Sequence, residues 1–205
     1  MLKTKGIYAI TDCINTSEEE LLIKTEDILN TGIALLQYRN KEVNYTQKKE
    51  IAIKLQRLCK KYNTPFIIND DISLAEEISA DGIHLGKDDL DLISARKRLP
   101  NKIIGISCYA SIEKALIAEK ETANYIAFGA FFPSITKPDA VKAEIELIKI
   151  AKTKLSVPIV AIGGITPENG KQLINAGVDY LAVISGLYSV SDTIAATESY
   201  NNLFN

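Results

Sequence analysis

The sequence predicts a (β/α)8 (TIM) barrel formed as one domain over residues 1–205. Eight short runs rich in β-branched and aromatic residues recur along the chain, and most are continuously apolar, as in parallel strands buried on both faces. Amphipathic helical patterns lie between these runs. The chain has 205 residues, 46% of them hydrophobic, which is enough to bury one large core. Eight strand–helix pairs of this length fit a compact barrel.

An open, doubly wound sheet is the alternative for alternating strands and helices. That fold carries a G-x-G-x-x-G fingerprint after its first strand, and the segment ITDCINTSEEE does not contain it. The chain also lacks a linker, a low-complexity tract or a block of charge that would divide it. We therefore expect one barrel domain.

The elements follow in order from local signals. The predicted strands are GIYAI, ALLQYR, PFIIN, DGIHL, KIIGIS, YIAFGAFF, PIVAIGG and YLAVISG. Ser17 with Glu20 predicts a capping box at a helix start, and Thr166 before Pro167 predicts an N-cap followed by proline at the first helical position. Two helices each present an apolar face, formed by Ile51, Leu55, Leu58, Cys59 and Tyr62 in one and by Val141, Ile145 and Ile148 in the other.

Composition excludes several classes of protein. The net charge is −2, so no broad basic surface is available to bind nucleic acid. The three cysteines are odd in number and far apart, which argues against a disulfide framework and a zinc site and suits a reducing compartment. The N-terminal segment does not resemble a signal peptide, and no run approaches the roughly 18 apolar residues of a membrane helix. We expect a cytoplasmic protein without membrane contact.

A barrel places its active site where the strands end. The second strand ends in QYRNK, with Gln37, Arg39 and Lys41. Arg39 and Lys41 are two residues apart, so both side chains leave an extended chain on the same side. They form either an anion-binding clamp or an ordinary pair of solvated charges.

Acidic residues follow the third and fourth strands. The third ends in Asn69, Asp70 and Asp71, and the fourth is followed by Lys87, Asp88 and Asp89. Asp71 and Asp88 are each also suited to cap the next helix. Carboxylates at neighbouring strand ends can converge on one Mg²⁺ ion, which takes one or two carboxylates together with water and substrate phosphates. Beside a pair of cations, this pattern favours metal-bound polyphosphate.

The later strand ends supply hydroxyl groups, a cation and glycines. These residues are Ser107 after strand five, Ser134, Thr136 and Lys137 after strand six, Gly163 and Gly164 after strand seven, and Ile184, Ser185 and Gly186 after strand eight. Loops after the last two strands of a barrel often hold a phosphate, although a lone glycine equally suits a tight turn.

His84, the only histidine, is interpreted as a structural strand residue, and the cysteines as small core residues. Serine or cysteine nucleophiles then lack a base. One strongly bound diphosphate and one anchoring phosphate together predict the transfer of an organic group from pyrophosphate. The spacing does not identify that group.

The segments YAITD, QYRNK, IINDD, DGIHLG, GIS, FGAFFPSITKP, AIGGI and AVISG resemble, in this order, the thiamine-phosphate synthase family. The resemblance implies condensation of hydroxymethylpyrimidine diphosphate with a thiazole phosphate carboxylate through a carbocation-like step. The products would be thiamine phosphate, pyrophosphate and CO2.

The same resemblance implies roles for individual residues. It assigns Gln37, Arg39, Lys41 and Asn69 to the pyrimidine diphosphate, Ser107 and Lys137 to its diphosphate, Asp70 and Asp89 to Mg²⁺, Ser134 and Thr136 to the thiazole partner, and Gly164, Ile184 and Ser185 to the thiazole phosphate. It further implies that Arg39, Lys41, Lys137 and Ser107 carry catalysis. Two positions depart from the family pattern: many relatives have threonine at Ser134 and glutamine at Lys87.

Two other functions fit parts of this pattern. A thiazole tautomerase would need neither the paired acids nor the full diphosphate clamp, and Tyr109 stands where that branch is expected to place its histidine. A phosphate-binding barrel without catalysis would give no reason for Asp70 and Asp89. We also consider a homodimer possible, and closure of the loop after strand six over substrate is a hypothesis that the sequence does not decide.

Overall fold

The protein is a closed barrel of eight parallel strands. The structure is a computed structural model that describes residues 4–14, 16–86, 89, 91–133 and 142–205. The strands are β1 (Gly6–Ile10), β2 (Leu35–Tyr38), β3 (Phe66–Asn69), β4 (Gly82–Leu85), β5 (Ile103–Tyr109), β6 (Tyr125–Gly129), β7 (Ile159–Ile162) and β8 (Tyr180–Val183). Each strand pairs in parallel with the next, and β1 pairs with β8 to close the ring. The predicted fold class is confirmed.

Helices alternate with the strands. They are α1 (Glu18–Asn30), α2 (Tyr45–Lys61), α3 (Ile72–Glu77), α4 (Leu92–Arg98), α5 (Ile112–Lys120), α6 (Glu146–Lys154), α7 (Pro167–Ala176), α8 (Ser185–Tyr188) and α9 (Thr193–Asn201), followed by a 3-10 helix (Asn202–Phe204). Within the described ranges, no helix is both long and apolar enough to cross a membrane.

The local signals of the sequence are largely confirmed. Thr166 caps α7 in a capping box completed by Asn169, with Pro167 at the first helical position. The Ser17 hydroxyl caps α1, but the Glu20 carboxylate pairs with Lys24 at 2.8 Å. The ion pair one turn further on therefore replaces the second half of that predicted box.

The predicted helix faces differ in outcome. In α2, Ile51, Leu55 and Cys59 are buried, and the other predicted members pack against them at the edge of the core. The α6 prediction is only partly met, because this helix begins at Glu146. Of that predicted face, Ile148 is buried in the helix, whereas Val141 lies outside the described residues.

Two apolar layers make the core. One lies between the helices and the outside of the barrel, and the other fills the barrel interior with residues that include Tyr8, Leu35, Ile67 and Tyr125. The interior is shaped for large rings. A Cβ atom at position 105 would lie 1.9 Å from Cζ of Tyr125, so only glycine leaves room for that ring.

Two of the three cysteines are buried in the core as predicted, and Cys13 is partly buried. Burial raises the pKa of the Cys108 thiol to about 12 and raises that of Cys59 further. These thiols therefore stay protonated at neutral pH and act as small apolar residues.

Candidate active site

The carboxyl ends of the strands open into one cavity of about 350 Å³. Its wall includes the predicted site residues of the described chain, which are Gln37, Arg39, Lys41, Asn69, Asp70, Asp89, Ser107, Gly164, Ile184 and Ser185. Ser134, Thr136 and Lys137 lie outside the described residues, as do Lys87 and Asp88. The structure thus brings together residues that are up to about 150 positions apart in sequence.

Two cations lie on one side of the cavity. The backbone of Arg39 is fixed to the neighbouring strand end, since its N–H donates to Oγ1 of Thr11 at 2.9 Å and its carbonyl accepts from the same hydroxyl at 3.2 Å. Nζ of Lys41 lies 3.3 Å from Oδ2 of Asp70, and the Lys41 side chain is 59% exposed. An ion pair so exposed is weak, so Lys41 can turn to an incoming anion at little cost.

Two carboxylates face each other beside these cations. Asp70 adopts a left-handed backbone with φ of 64°, and its N–H donates to the carbonyl of His84 at 2.9 Å. Oδ2 of Asp89 accepts from the N–H of Gly86 at 2.5 Å. Desolvation and the adjacent Asp70 carboxyl raise the pKa of Asp89, while the Gly86 N–H and Lys41 act in the opposite direction.

This donor set suits a hydrated divalent ion. Among the described residues, no cluster of three or more His, Cys, Asp or Glu side chains offers a closed metal cage. Mg²⁺ instead binds through one or two carboxylates and completes its octahedron with water and phosphate oxygens. The contact between Asp70 and Asp89 places two like charges together, which a cation would offset.

Asp71 serves the scaffold. Its carboxylate accepts from the N–H of Leu74 at 3.0 Å as the N-cap of α3, and Lys48 pairs with it at 3.1 Å. The helix-capping alternative for Asp71 is therefore confirmed. The cap of α4 is Asp91.

Glycines line the opposite side of the cavity. Gly163 and Gly164 have φ of 106° and 60°, and a Cβ at Gly164 would lie 2.2 Å from the carbonyl oxygen of Pro133. Helix α8 starts at Ser185, and the N–H groups at a helix start have no acceptor in the preceding turn. Among the described residues, this side therefore presents backbone without charged side chains, a surface that suits a phosphate.

A group of polar rings at the cavity wall was not among the site residues predicted from sequence. The His84 ring, given no chemistry from sequence, contacts Oγ of Ser107 at 2.8 Å through Nε2 and the Tyr125 hydroxyl at 3.0 Å through Nδ1. A serine and a histidine are thus adjacent, although no base for a serine nucleophile was expected from the sequence. Tyr8 and Gln37 continue the group. The tyrosines within two apolar runs were the available signal, because a buried tyrosine hydroxyl usually has a partner.

Burial raises the pKa of both Tyr8 and Tyr125. Both phenols therefore remain protonated at neutral pH. Each hydroxyl can donate one hydrogen bond and accept others, which makes a continuous chain of bonds possible.

Comparison with known proteins identifies the family of the chain. A family model described as thiamine monophosphate synthase matches residues 7–187. The thiamine-phosphate synthase of Nitrosococcus oceani is 47% identical over 201 residues, covering 98% of this chain and 93% of the relative. That of Methylobacillus flagellatus is 48% identical over 202 residues, covering 98% and 96%.

A solved structure extends the similarity to three dimensions. The thiamine phosphate pyrophosphorylase from Pyrococcus furiosus superimposes with a TM-score of 0.89 at 33% identity, and the match covers 98% of this chain and 95% of that one. The family model spans nearly the whole barrel, including every strand whose end lines the cavity. The chain therefore belongs to the thiamine monophosphate synthase family.

Proposed function

We propose that this protein is a magnesium-dependent transferase that joins hydroxymethylpyrimidine diphosphate to a thiazole phosphate carboxylate. The products are thiamine phosphate, pyrophosphate and CO2. Family membership supports the overall reaction, and the two-sided cavity supports the assignment of its parts. That cavity, with cations and carboxylates on one side and backbone glycines on the other, is the observation that carries the proposal.

The first step breaks the bond between the pyrimidine methylene carbon and the diphosphate oxygen, and the electron pair leaves with the oxygen. The aminopyrimidine ring delocalises the positive charge left on the methylene. The thiazole nitrogen then donates its electron pair to that carbon and forms the new C–N bond. Loss of the carboxylate as CO2 leaves the electron pair of the broken C–C bond on the thiazole ring, and the uptake of one proton from water completes thiamine phosphate.

This chain contributes position and charge to that reaction. Arg39 and Lys41 offset the negative charge that develops on the leaving diphosphate, and Ser107 donates a hydrogen bond to it. Gln37 and Asn69 orient the pyrimidine ring. The backbone at Gly164, Ile184 and Ser185 holds the phosphate of the thiazole partner. We assign Ser134 and Thr136 to that partner and Lys137 to the diphosphate by resemblance to the family.

Asp70 and Asp89 are the residues that would hold Mg²⁺. When bound there, the ion supplies positive charge that stabilises the departing diphosphate. The contact between these two acids and the raised pKa of Asp89 support this assignment.

The test mixes purified protein with both substrates and follows thiamine phosphate by fluorescence after oxidation. We expect product with Mg²⁺ and none with excess EDTA, and loss of product in Lys137→Ala. Isomerisation of the thiazole compound without condensation would instead support a tautomerase, whose expected histidine position is occupied here by Tyr109 at the cavity wall. Product formation that is unaffected by EDTA would refute the metal assignment alone.

A further inference from the structure

A chain of hydrogen bonds crosses the barrel at the wall of the cavity. Nε2 of Gln37 lies 2.7 Å from the Tyr8 hydroxyl, which lies 2.6 Å from the Tyr125 hydroxyl. The Tyr125 hydroxyl lies 3.0 Å from Nδ1 of His84, and Nε2 of His84 lies 2.8 Å from Oγ of Ser107. Five side chains from β1, β2, β4, β5 and β6 are thereby linked in one path, and all of them except Tyr125 line the cavity.

Gln37 sets the direction of this chain. In the orientation that the structure gives the Gln37 amide, its nitrogen faces Tyr8 and can only donate, so the Tyr8 oxygen accepts and its own hydrogen points to Tyr125. The Tyr125 hydrogen then points to Nδ1 of His84, which accepts. A neutral imidazole with an accepting Nδ1 carries its hydrogen on Nε2, and that hydrogen points to Ser107.

The reverse direction is disfavoured by burial. If Tyr125 donated to Tyr8, the Tyr8 hydrogen would need a different acceptor, and with the Gln37 amide in this orientation the hydrogen bonds of the described residues provide none. Tyr8 is 1% exposed and Tyr125 is 0% exposed. A buried hydroxyl hydrogen without an acceptor is costly, so the uninterrupted chain is favoured.

Ring packing holds the chain in place. The His84 and Tyr125 rings stack with centroids 5.7 Å apart and an interplanar angle of 14°, and Tyr8 meets Tyr125 edge to face at 5.6 Å. Gly105 makes room for the Tyr125 ring. The imidazole is therefore fixed in orientation, and its hydrogen-bond partners define its tautomer.

We propose that His84 is a positioning residue that holds the Ser107 hydroxyl in the donating orientation. With its oxygen accepting from Nε2–H of His84, Ser107 directs its own hydrogen into the cavity, where an anionic oxygen can accept it. The inference rests on the proposed function for the identity of that anion, a diphosphate. The tautomer of His84 follows from the chain itself.

The same direction excludes His84 as a general base toward Ser107. A nitrogen that already carries a hydrogen cannot take the serine proton, so the adjacent serine and histidine do not form a nucleophilic pair. The arrangement suits a reaction in which the enzyme stabilises a leaving anion without forming a covalent bond to it.

Nitrogen NMR tests the tautomer directly. Because His84 is the only histidine, protein without a purification tag and labelled with ¹⁵N-histidine gives one pair of ring signals. We expect Nδ1 to be of the unprotonated type and Nε2 of the protonated type in substrate-free protein. Tyr125→Phe should shift the pair toward a mixture of tautomers.

Tyr188→Phe is the matched control for this measurement. Its hydroxyl is equally buried and bonds Thr25 at 3.0 Å, away from the chain. We expect that variant to leave the His84 signals unchanged. Wild-type protein with the hydrogen on Nδ1 would overturn the proposal, whether or not the protein makes thiamine phosphate.

A double-mutant cycle tests the role in catalysis. We expect His84→Asn to lower kcat by roughly tenfold to a hundredfold, the range for losing a hydrogen bond to a charged group, and to change KM by less than about threefold. In a Ser107→Ala background, the same substitution should have almost no further effect, since His84 acts through Ser107.

His84→Gln is the conservative variant, because its amide nitrogen can donate near the position of Nε2. It should retain more activity than His84→Asn while both melt at similar temperatures. Multiplicative losses in the cycle, or equal losses in both variants, would refute the positioning role. A wild-type protein without synthase activity would refute the proposed function and leave the tautomer result standing.

Discussion

Asp70 and Asp71 are neighbours in sequence, yet the fold gives their carboxylates different surroundings. Asp70 turns into the cavity from a left-handed backbone, whereas Asp71 caps α3 and pairs with Lys48. The sequence predicted an acid at this strand end together with the capping alternative. The family resemblance assigned Asp70 to the metal site, but the residue pattern alone did not separate the two acids, because their surroundings depend on the backbone φ of Asp70.

This pair of acids gives the first prediction. Asp70→Asn should lower kcat/KM by roughly a hundredfold at fixed Mg²⁺, the scale for losing one electrostatic contact to a leaving anion. Asp71→Asn is the matched control, since asparagine is as good an N-cap and only the Lys48 pair is lost. It should keep its activity and lose at most about 1 kcal/mol of stability. Steady-state kinetics and urea unfolding measure both, and equal activity losses would contradict the assignment.

Gly105 gives the second prediction. Gly105→Ala forces the Tyr125 ring away from a Cβ placed 1.9 Å from its Cζ, so we expect a loss of about 1–3 kcal/mol from overpacking. Activity should fall as well, because the displaced ring no longer contacts His84. Gly32→Ala, which meets nothing within 4 Å, is strained only by its φ of 88° and should keep full activity. Thermal unfolding measures the loss of stability, and steady-state kinetics measure the loss of activity. An unchanged Tyr125 environment in Gly105→Ala would contradict the predicted displacement of the ring.

At the scale of elements, periodicity predicted the strands well and their ends less well. Continuous apolar runs located all eight strands, but the predicted sixth run continues past Gly129, where β6 ends. The two phenylalanines after it belong to the core, with Phe131 1% exposed and Phe132 packed against the same apolar cluster. An apolar run in the sequence indicates buried residues, and residues remain buried beyond the last hydrogen bond between the strands.

The start of α7 shows how an element positions the site. Thr166 and Asn169 form the capping box, and Nδ2 of Asn169 also donates to the carbonyl of Gly164 at 2.9 Å. The helix cap and the glycine side of the cavity are therefore joined through one side chain. The sequence predicted the cap but not this second bond, which depends on the left-handed φ of Gly164.

The third prediction separates these two tasks. Thr166→Ala and Asn169→Ala should each cost about 1 kcal/mol through loss of the cap. Asn169→Ala should in addition raise KM for the thiazole phosphate several-fold, since the Gly164 loop loses its anchor. Thr166→Ala serves as the control of similar stability. The same KM in both variants would show that Asn169 does not order the loop.

On the scale of the whole molecule, the site opposes the stability of the fold. Desolvation and the like charge of Asp70 raise the pKa of Asp89, so the folded state binds that proton more tightly than the unfolded state does. The corresponding stability is present at low pH and is lost as pH rises through the folded pKa. At neutral pH without metal, the ionised carboxylate therefore destabilises the barrel.

The fourth prediction follows from that balance. Asp89→Asn should raise Tm in EDTA, because asparagine keeps an acceptor for the Gly86 N–H and removes the charge. Mg²⁺ with pyrophosphate should raise Tm of the wild type by mass action but not that of the variant. Asp91→Asn, at the exposed cap of α4, is the control and should respond to ligand as the wild type does. A lower Tm for Asp89→Asn in EDTA would contradict the prediction.

The largest gap between sequence and structure belongs to this scale. Tyr8 and Tyr125 meet across the barrel although they are 117 residues apart, and no local pattern specifies that meeting. Strand order places β1 and β6 three strands apart around the closed ring, and only the size of the rings then decides whether their side chains touch across the interior. Because a barrel places its active site where the strands end, the residues around the cavity could be predicted from the sequence. Contacts through the barrel interior depend on side-chain packing and could not.

The pairing of β1 with β8 has a consequence for how activity arises during synthesis. Tyr8 is aligned with Ala182, so the ring cannot close until nearly the whole chain is available. The cationic side of the cavity comes from the first half of the chain and the glycine side from its last quarter. Contacts of such long range form slowly. A refolding or newly made chain should therefore gain helical circular dichroism first and enzymatic turnover last. The time at which activity appears then reports when the ring of strands closes.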